Sequence, residues 1–220
     1  MGGGVMRRLW WAFVRLFFRL LYNELAWTYD LVAWAVSLGQ WRAWTRTVIP
    51  HLIPRLPCKP VLELAHGPGH LLAAMGERDL APVGLDLSSH MGRQARRRLR
   101  RAGVAAPLVQ ARAQALPFHD GCFGGAVATF PTEFIVDPAT LREVVRVLRP
   151  GGRLVVAVWA RLGGCDTVSR FLRWLYRVTG QAKPLPGDGE ALAAEAGLVP
   201  SVKWERVGSS EVMLIVAERR

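Results

Sequence analysis

From residue 60 onward the chain alternates short apolar runs with stretches of helical period. The runs "PVLELA" (60–65), "APVGLDL" (81–87), "APLVQAR" (106–112), "GGAVATF" (124–130) and "GRLVVAVW" (152–159) predict strands. So do a closing pair, "VKWERV" (202–207) and "EVMLIVAE" (211–218). Helices are predicted over 71–77, 89–102, 140–148, near 167–179 and over 189–196. Strands separated by helices form βαβ units, whose right-handed crossovers build a parallel sheet covered on both faces. Only "GSS" separates the last two strands, too little for a crossover, so they pair antiparallel. The pattern therefore predicts an α/β domain whose sheet is parallel except for one reversed strand.

The first forty residues depart from this pattern. "RRLWWAFVRLFFRLLY" (7–22) is apolar enough to suggest a membrane span or a signal peptide. Arg15 and Arg19 interrupt it, however, and no small-residue cleavage site follows. At about 100° per residue, Arg8, Arg15 and Arg19 fall within an arc of roughly 40°, with Leu9, Trp10, Phe13, Phe17, Leu20 and Leu21 opposite. That predicts a helix lying in a membrane interface, its aromatics buried and its arginines at the headgroups. The competing use of the same apolar face is packing on the domain or on a second copy of the chain, as a homodimer. "SRFLRWLYRVTG" (169–180) repeats the composition, with Arg170, Arg173 and Arg177 on one side. The expected division is an amphipathic extension over 1–50 and the α/β domain over 51–220.

Composition sharpens this only in part. A hydrophobic content of 51% in 220 residues excludes a disordered chain. Cys58, Cys122 and Cys165 lie far apart, without ligand spacing, so the sequence predicts neither a disulfide framework nor a metal site and fits a reducing cytoplasm. The net charge is +12, and only Lys59, Lys183 and Lys203 among the 29 basic residues are lysine. Guanidinium grips phosphate oxygens in a bidentate fork, so arginine excess favours anionic surfaces; codon bias yields the same composition. In "RQARRRLRR" (93–101), Arg93, Arg96, Arg97, Arg100 and Arg101 share one helical face while Met91, Ala95, Leu99 and Ala102 share the other. This is the pattern of a solvated outer face, and no aromatics interleave it as they do in nucleic-acid binders.

The chemistry concentrates in "VLELAHGPGHLLAAM" (61–75), a buried strand running through a glycine turn into a helix. Ligands of open parallel sheets bind outside the carboxyl ends of the strands, where the strand order reverses. Glycines let the backbone approach a ligand closely, and a structural turn is the competing explanation. Asp86, at the end of the next strand and 23 positions beyond Glu63, adds a carboxylate able to accept from both hydroxyls of a ribose. Turn and acid together predict an adenosine-containing cofactor. A dinucleotide fingerprint would place a third glycine where Leu72 stands.

These residues resemble the class I S-adenosylmethionine-dependent methyltransferases, and within them the type 11 group that includes quinone-biosynthesis enzymes. "VLELAHGPGHLL" looks like the first family motif, "GLDLSSHMGRQARRRL" like the second, and "ARAQALPFHDGCFGGAVATF" like the third and fourth. "LREVVRVLRPGGRLVVAVW" is similar to the helix, turn and strand that follow. The resemblance implies a Rossmann-like, seven-stranded, mostly parallel sheet with an antiparallel C-terminal hairpin, helices on both faces, and S-adenosyl-L-methionine as cofactor. It implies cofactor contacts from Glu63, Ala65, His66, Gly67 and Gly69, with the two glycines against the methionine portion. It further implies Asp86 on the ribose, Leu87 and Met91 beside the adenine, the loop of Ala113, Gln114 and Ala115 at the adenine edge, and Thr129 at the end of the fourth strand. Tyr29, in "NELAWTYD", matches a lid tyrosine. Three positions depart from the family: Ala65 stands for a glycine, Arg112 for an acid that accepts from the adenine amino group, and Gly124 for an aspartate. Arginine has no acceptor, which leaves the carbonyl of Gln114 for that contact.

Methyl transfer is an in-line displacement, so positioning in a dry pocket supplies most of the acceleration, and a base is needed only for a weakly acidic nucleophile. The acceptor side is expected from "TFPTEF" (129–134), the N-terminal helices and the 167–179 tract. Glu133 is the best-placed base, then His66 and His119. Against this, Glu133 can cap a helix or pair with an arginine, and the histidines can be hydrogen-bonded loop residues. "TFPT" does not match the Asn/Asp-Pro-Pro-aromatic tetrad of nucleic-acid amino methyltransferases, so no nucleic-acid partner is expected. The sequence thus predicts a cytoplasmic methyltransferase, peripheral on the inner membrane face and binding its anionic surface through 7–22 and 169–180, that modifies a small lipophilic acceptor such as a quinone precursor or lipid headgroup. The alternatives are a non-catalytic cofactor-fold protein at the membrane and an RNA methyltransferase.

Overall fold

A computed structural model of the chain describes residues 37–52, 60–161, 163 and 189–220. Tyr29 and both basic aromatic tracts, 7–22 and 169–180, lie outside the described residues.

The sheet has seven strands in the order β3-β2-β1-β4-β5-β7-β6. In chain order these are β1 (Val61–Leu64), β2 (Pro82–Asp86), β3 (Leu108–Gln110), β4 (Phe123–Thr129), β5 (Leu148–Arg161), β6 (Leu198–Val207) and β7 (Ser210–Arg219). The first five run parallel, while β7 lies between β5 and β6 and is antiparallel to both. After β3 the chain returns past β1 to lay down β4, so the strand order reverses at the carboxyl ends of β1 and β4. The last hairpin is tighter than predicted: Val207 pairs with Ser210, leaving two turn residues, and Gly208 takes a φ of +57° that favours glycine. The edge strand β3 is shorter than the predicted 106–112, because it pairs only with Gly84, Leu85 and Asp86 of β2.

Among the described residues the helices are α1 (Trp41–Arg46), α2 (Ile49–Leu52), α3 (His70–Gly76), α4 (Ser89–Ala102), α5 (Pro138–Val147) and α6 (Gly189–Glu195), with a 3₁₀ turn over Glu133–Val136. Local chemistry sets their limits. The Ser88 hydroxyl accepts from Met91 N at 3.3 Å to start α4, and Gly103, at φ +67°, ends it by donating to the Arg100 and Leu99 carbonyls. Asp137 caps α5 by accepting from Ala139 N at 2.9 Å, with Pro138 at the first helical position.

Two cores sandwich the sheet. Trp44, Ile49, Leu52, Leu72, Met75, Val155 and Ala157 belong to one, and Leu62, Leu85, Leu141, Val144, Leu154 and Val156 to the other. Alternate residues of β5 thus bury on opposite faces, which is why its run is continuously apolar. α1 and α2 share the first of these cores with the strands, through Trp44, Val48, Ile49 and Leu52.

Candidate active site

The glycine turn follows β1 at the reversal of strand order, and three of its residues have left-handed backbone: Ala65 at φ +53°, Gly67 at +53° and Gly69 at +78°. Glycine adopts this region freely, whereas an alanine there costs about 1 kcal/mol or somewhat more. Ala65 therefore keeps the turn of the glycine it stands for, under strain. A Cβ on Gly67 would meet nothing within 4 Å, so the backbone faces open space where a ligand can approach. At Gly69 the space is closed: a Cβ would lie 2.8 Å from Ala95 Cβ, so this glycine lets the turn pack on α4.

Asp86 holds the turn from the end of β2. Its Oδ2 accepts from Gly67 N at 2.9 Å and its Oδ1 from Ser88 N at 2.8 Å. Each carboxylate oxygen keeps a lone pair, so Asp86 can brace the turn and still accept from a ribose. Leu87, next in sequence, is 65% exposed, an apolar surface that suits the face of an adenine. Met91 is 1% exposed and packs inside the first turns of α4 instead of lining open space. Arg98 braces the turn from the other side, donating from Nη1 to the Pro68 carbonyl.

Beneath the turn lie two buried titratable groups. His66 is 4% exposed, and a Cβ on Gly84 would meet its ring at 2.8 Å, so the imidazole fills the gap that this glycine leaves in β2. Its Nδ1 lies 2.7 Å from the Gly67 carbonyl, and a carbonyl only accepts, so Nδ1 carries the proton. Burial lowers its pKa below the ordinary value, with Asp86 opposing, and the ring is neutral. His66 supports the turn; a ring so buried is a poor base for an acceptor.

Glu63 is 2% exposed, and its Oε2 has no hydrogen-bond partner among the described residues. Burial pushes its pKa well above the usual carboxylate range, and the Asp86 charge adds to the shift, while a hydrogen bond from the Leu72 backbone opposes it. With a raised pKa, the folded state retains a proton that the unfolded chain has lost, so stability falls as pH rises from the ordinary glutamate pKa until the buried group ionises. Glu63→Gln should flatten that slope, as read by urea unfolding from about pH 5 to about pH 8. Parallel slopes for the two proteins would refute the assignment.

The loop after β3 is the one expected at the adenine edge. Ala113 is buried and Ala115 exposed, and Gln114 Nε2 donates to Asp137 Oδ2 at 3.1 Å, tying the loop to the start of α5. The Ala139 N–H and the Gln114 amide lower the Asp137 pKa. Arg112 is exposed. The sequence reading overlooked Asp137, although an acid directly before a proline is an N-cap signal.

Thr129 ends β4, and Glu133 is exposed at the start of the 3₁₀ turn beyond it, at the same sheet edge. Between them Phe130 sits at φ +48°, an uncommon conformation for a bulky side chain, with its N–H on the Ala157 carbonyl at 2.7 Å. Its ring packs on Trp41 (centroids 4.7 Å apart) and Trp44 (6.3 Å), giving an aromatic wall that no local signal in the sequence announced.

His119 is not part of this assembly. Arg146, in the last turn of α5, binds Asp120 at 2.7 Å, the Phe118 carbonyl at 2.7 Å and Glu143 at 2.8 Å. This clamp holds the 116–120 loop at the edge where β4 and β5 begin, opposite the glycine turn, so His119 cannot act as a base there.

This edge, with a braced glycine turn, an acid at the end of β2 and a seven-stranded sheet closed by a reversed hairpin, defines a methyltransferase of the Rossmann-like kind. Residues 61–152 match a family model described as a methyltransferase domain. A demethylmenaquinone methyltransferase from Thermus thermophilus is 37% identical over 141 residues, covering 62% of this chain, and the chain spans 63% of that relative's length. The ubiquinone/menaquinone biosynthesis C-methyltransferase UbiE from Pectobacterium atrosepticum is 34% identical over 187 residues, covering 80% of this chain and 70% of its own. The fold is shared with geranyl diphosphate C-methyltransferase from Streptomyces coelicolor A3(2), at a TM-score of 0.61 and 18% identity over 81% of this chain and 79% of that one. The chain belongs to the class I S-adenosylmethionine-dependent methyltransferases.

Proposed function

We propose that the protein transfers the methyl group of S-adenosylmethionine to a small lipophilic acceptor of the quinone-precursor type at the inner membrane surface. The observation that carries this reading is Asp86, whose two oxygens order the turn and the start of α4 beside the open space over Gly67. These residues suit the cofactor: Asp86 accepts from the ribose hydroxyls, Gly67 leaves room for the methionine portion, and Leu87 offers the adenine an apolar face. When bound, the cofactor supplies an electrophilic sulfonium methyl.

The chain's own contribution is placement. Phe130 and Trp41 present an apolar wall suited to a flat ring, and Glu133 is an exposed carboxylate at this edge that can take a proton from the acceptor. The acceptor class rests on what the relatives are named for, ubiquinone and menaquinone biosynthesis. The membrane rests on the pattern of residues 7–22 and on the +12 charge.

Full-length protein should bind S-adenosylmethionine in calorimetry and label a demethylated menaquinol carried in anionic vesicles. It should also float with those vesicles. Absence of cofactor binding at millimolar ligand would sink the enzymatic reading, and label transfer without flotation would remove the membrane alone.

A further inference from the structure

β6 is the last strand of the sheet, beside β7 and with no strand on its other side among the described residues. Ser201, Val202, Lys203, Trp204 and Arg206 are exposed, Trp204 to 53%. An open edge of this length is a template for another strand, and its residues decide which strand it admits.

The register with β7 shows which backbone groups are open. Only Gly208 and Ser209 separate Val207 from Ser210, so this closing pair exchanges both of its backbone hydrogen bonds. From there the pairs alternate without a shift. Val207, Glu205, Lys203 and Ser201 therefore turn their N–H and C=O groups to β7, while Arg206, Trp204 and Val202 turn theirs outward. Pro200, next in the outer row, has no N–H, which ends the usable edge on that side.

Charge then restricts the pairing. A lysine in the middle of an edge ordinarily keeps other strands away. A second copy running antiparallel about a two-fold axis can bring outward residues only against outward residues, which leaves few registers. Axes at Lys203, Glu205 and Arg206 each set like charges directly opposite one another. An axis at Val202 puts Pro200, without an N–H, against Trp204. An axis at Trp204 instead sets Lys203 against the partner's Glu205 twice over, in the non-hydrogen-bonded pairs whose side chains come closest. In that register Val202, Trp204 and Arg206 of the two chains exchange about six backbone hydrogen bonds.

The side chains already in place fit this register. His51 Nε2 lies 2.8 Å from Glu205 Oε1, which leaves Oε2 for a lysine. Arg206, opposite the partner's Val202, keeps Glu211 at 3.9 Å. Trp204 stands in a row with Met213 on β7 and Trp159 on β5, its ring centroid 6.2 Å from that of Trp159. An axis at Trp204 continues this row into the partner's, so two exposed indoles meet and shield each other from water.

We propose that β6 pairs antiparallel with β6 of a second copy about a two-fold axis at Trp204, joining the two sheets into one. Because β6 runs parallel to β5, the pairing points the two glycine turns toward opposite edges of the joined sheet, and neither site borrows a residue from the other chain. The inference does not rest on methyl transfer.

Sedimentation velocity of the full-length protein from about 1 to about 100 μM should show a reversible monomer–dimer equilibrium. Lys203→Glu and Glu205→Lys each put like charges into both facing pairs and should weaken the dimer about tenfold or more. Mixed in equal amounts, the two variants should associate as wild type does, since each supplies the charge that the other lacks. That recovery requires this register and cannot come from an unfolded variant. Trp204→Pro removes an outward N–H, at a position where an edge strand accepts proline, so it should abolish the dimer and leave the circular dichroism of the folded chain. A wild-type chain that stays monomeric across the range would overturn the inference. So would a mixture no stronger than its components, or a dimer equally strong in all three variants, which would move the contact to another face such as that of residues 7–22.

Discussion

Asp86→Asn should weaken S-adenosylmethionine binding about a hundredfold, because it removes a charge that serves two backbone N–H groups and the ribose proposed to bind there. In the folded chain its two oxygens accept from Gly67 N and Ser88 N at 2.9 and 2.8 Å. An asparagine keeps the shape but turns an NH₂ toward one of those N–H groups, leaving a donor facing a donor. The turn then loses a brace before any ribose arrives, and the ribose loses its charged acceptor. Thermal stability should fall as well, by about 1–3 kcal/mol, the cost of a buried donor left unmatched. The Glu63 carboxyl, which feels the Asp86 charge, should titrate nearer its ordinary range in the same variant. Calorimetry and melting curves read both effects, and unchanged cofactor affinity would remove Asp86 from the proposed site.

Gly69→Ala should be the most destabilising single change in the turn. The new Cβ would lie 2.8 Å from Ala95 Cβ and 3.0 Å from Ala95 Cα, and at φ +78° the residue also takes on left-handed strain. Overpacking and strain together come to about 3 kcal/mol or more. Ala95→Gly removes one of the two colliding atoms at about 1 kcal/mol of helix propensity, so the double variant should lose less than the sum of the single losses. Strict additivity in urea unfolding would show that α4 moves aside. Gly67 makes the contrast, since a Cβ there meets open space. An alanine at that position pays in left-handed strain, and its methyl enters the volume proposed for the cofactor.

Both effects lie in residues that the sequence reading singled out, but their weights come from the structure. "VLELAHGPGHLL" showed that a strand hands over to a helix through glycines, and Asp86 marked the next strand end. Which glycine faces ligand space and which faces α4 depends on how two helices pack, a contact between residues far apart in sequence. His66 and His119 show the same limit. Either imidazole is a plausible base on paper; burial under Gly84 makes one a support, and the Arg146 clamp carries the other to the far edge of the sheet.

Taken alone, the sequence determined the alternation of strands and helices, the reversed final hairpin and the position of the glycine turn. These follow from period, apolar runs and turn chemistry, each encoded within a dozen or so neighbouring residues. Tertiary structure alone decided the strain held at Ala65 and Phe130, the aromatic wall of Trp41 and Phe130, and the partners that Arg146 finds in the 116–120 loop. Backbone strain persists only where surrounding contacts over-determine it, and the face taken by a long charged side chain depends on which segment lies next to it.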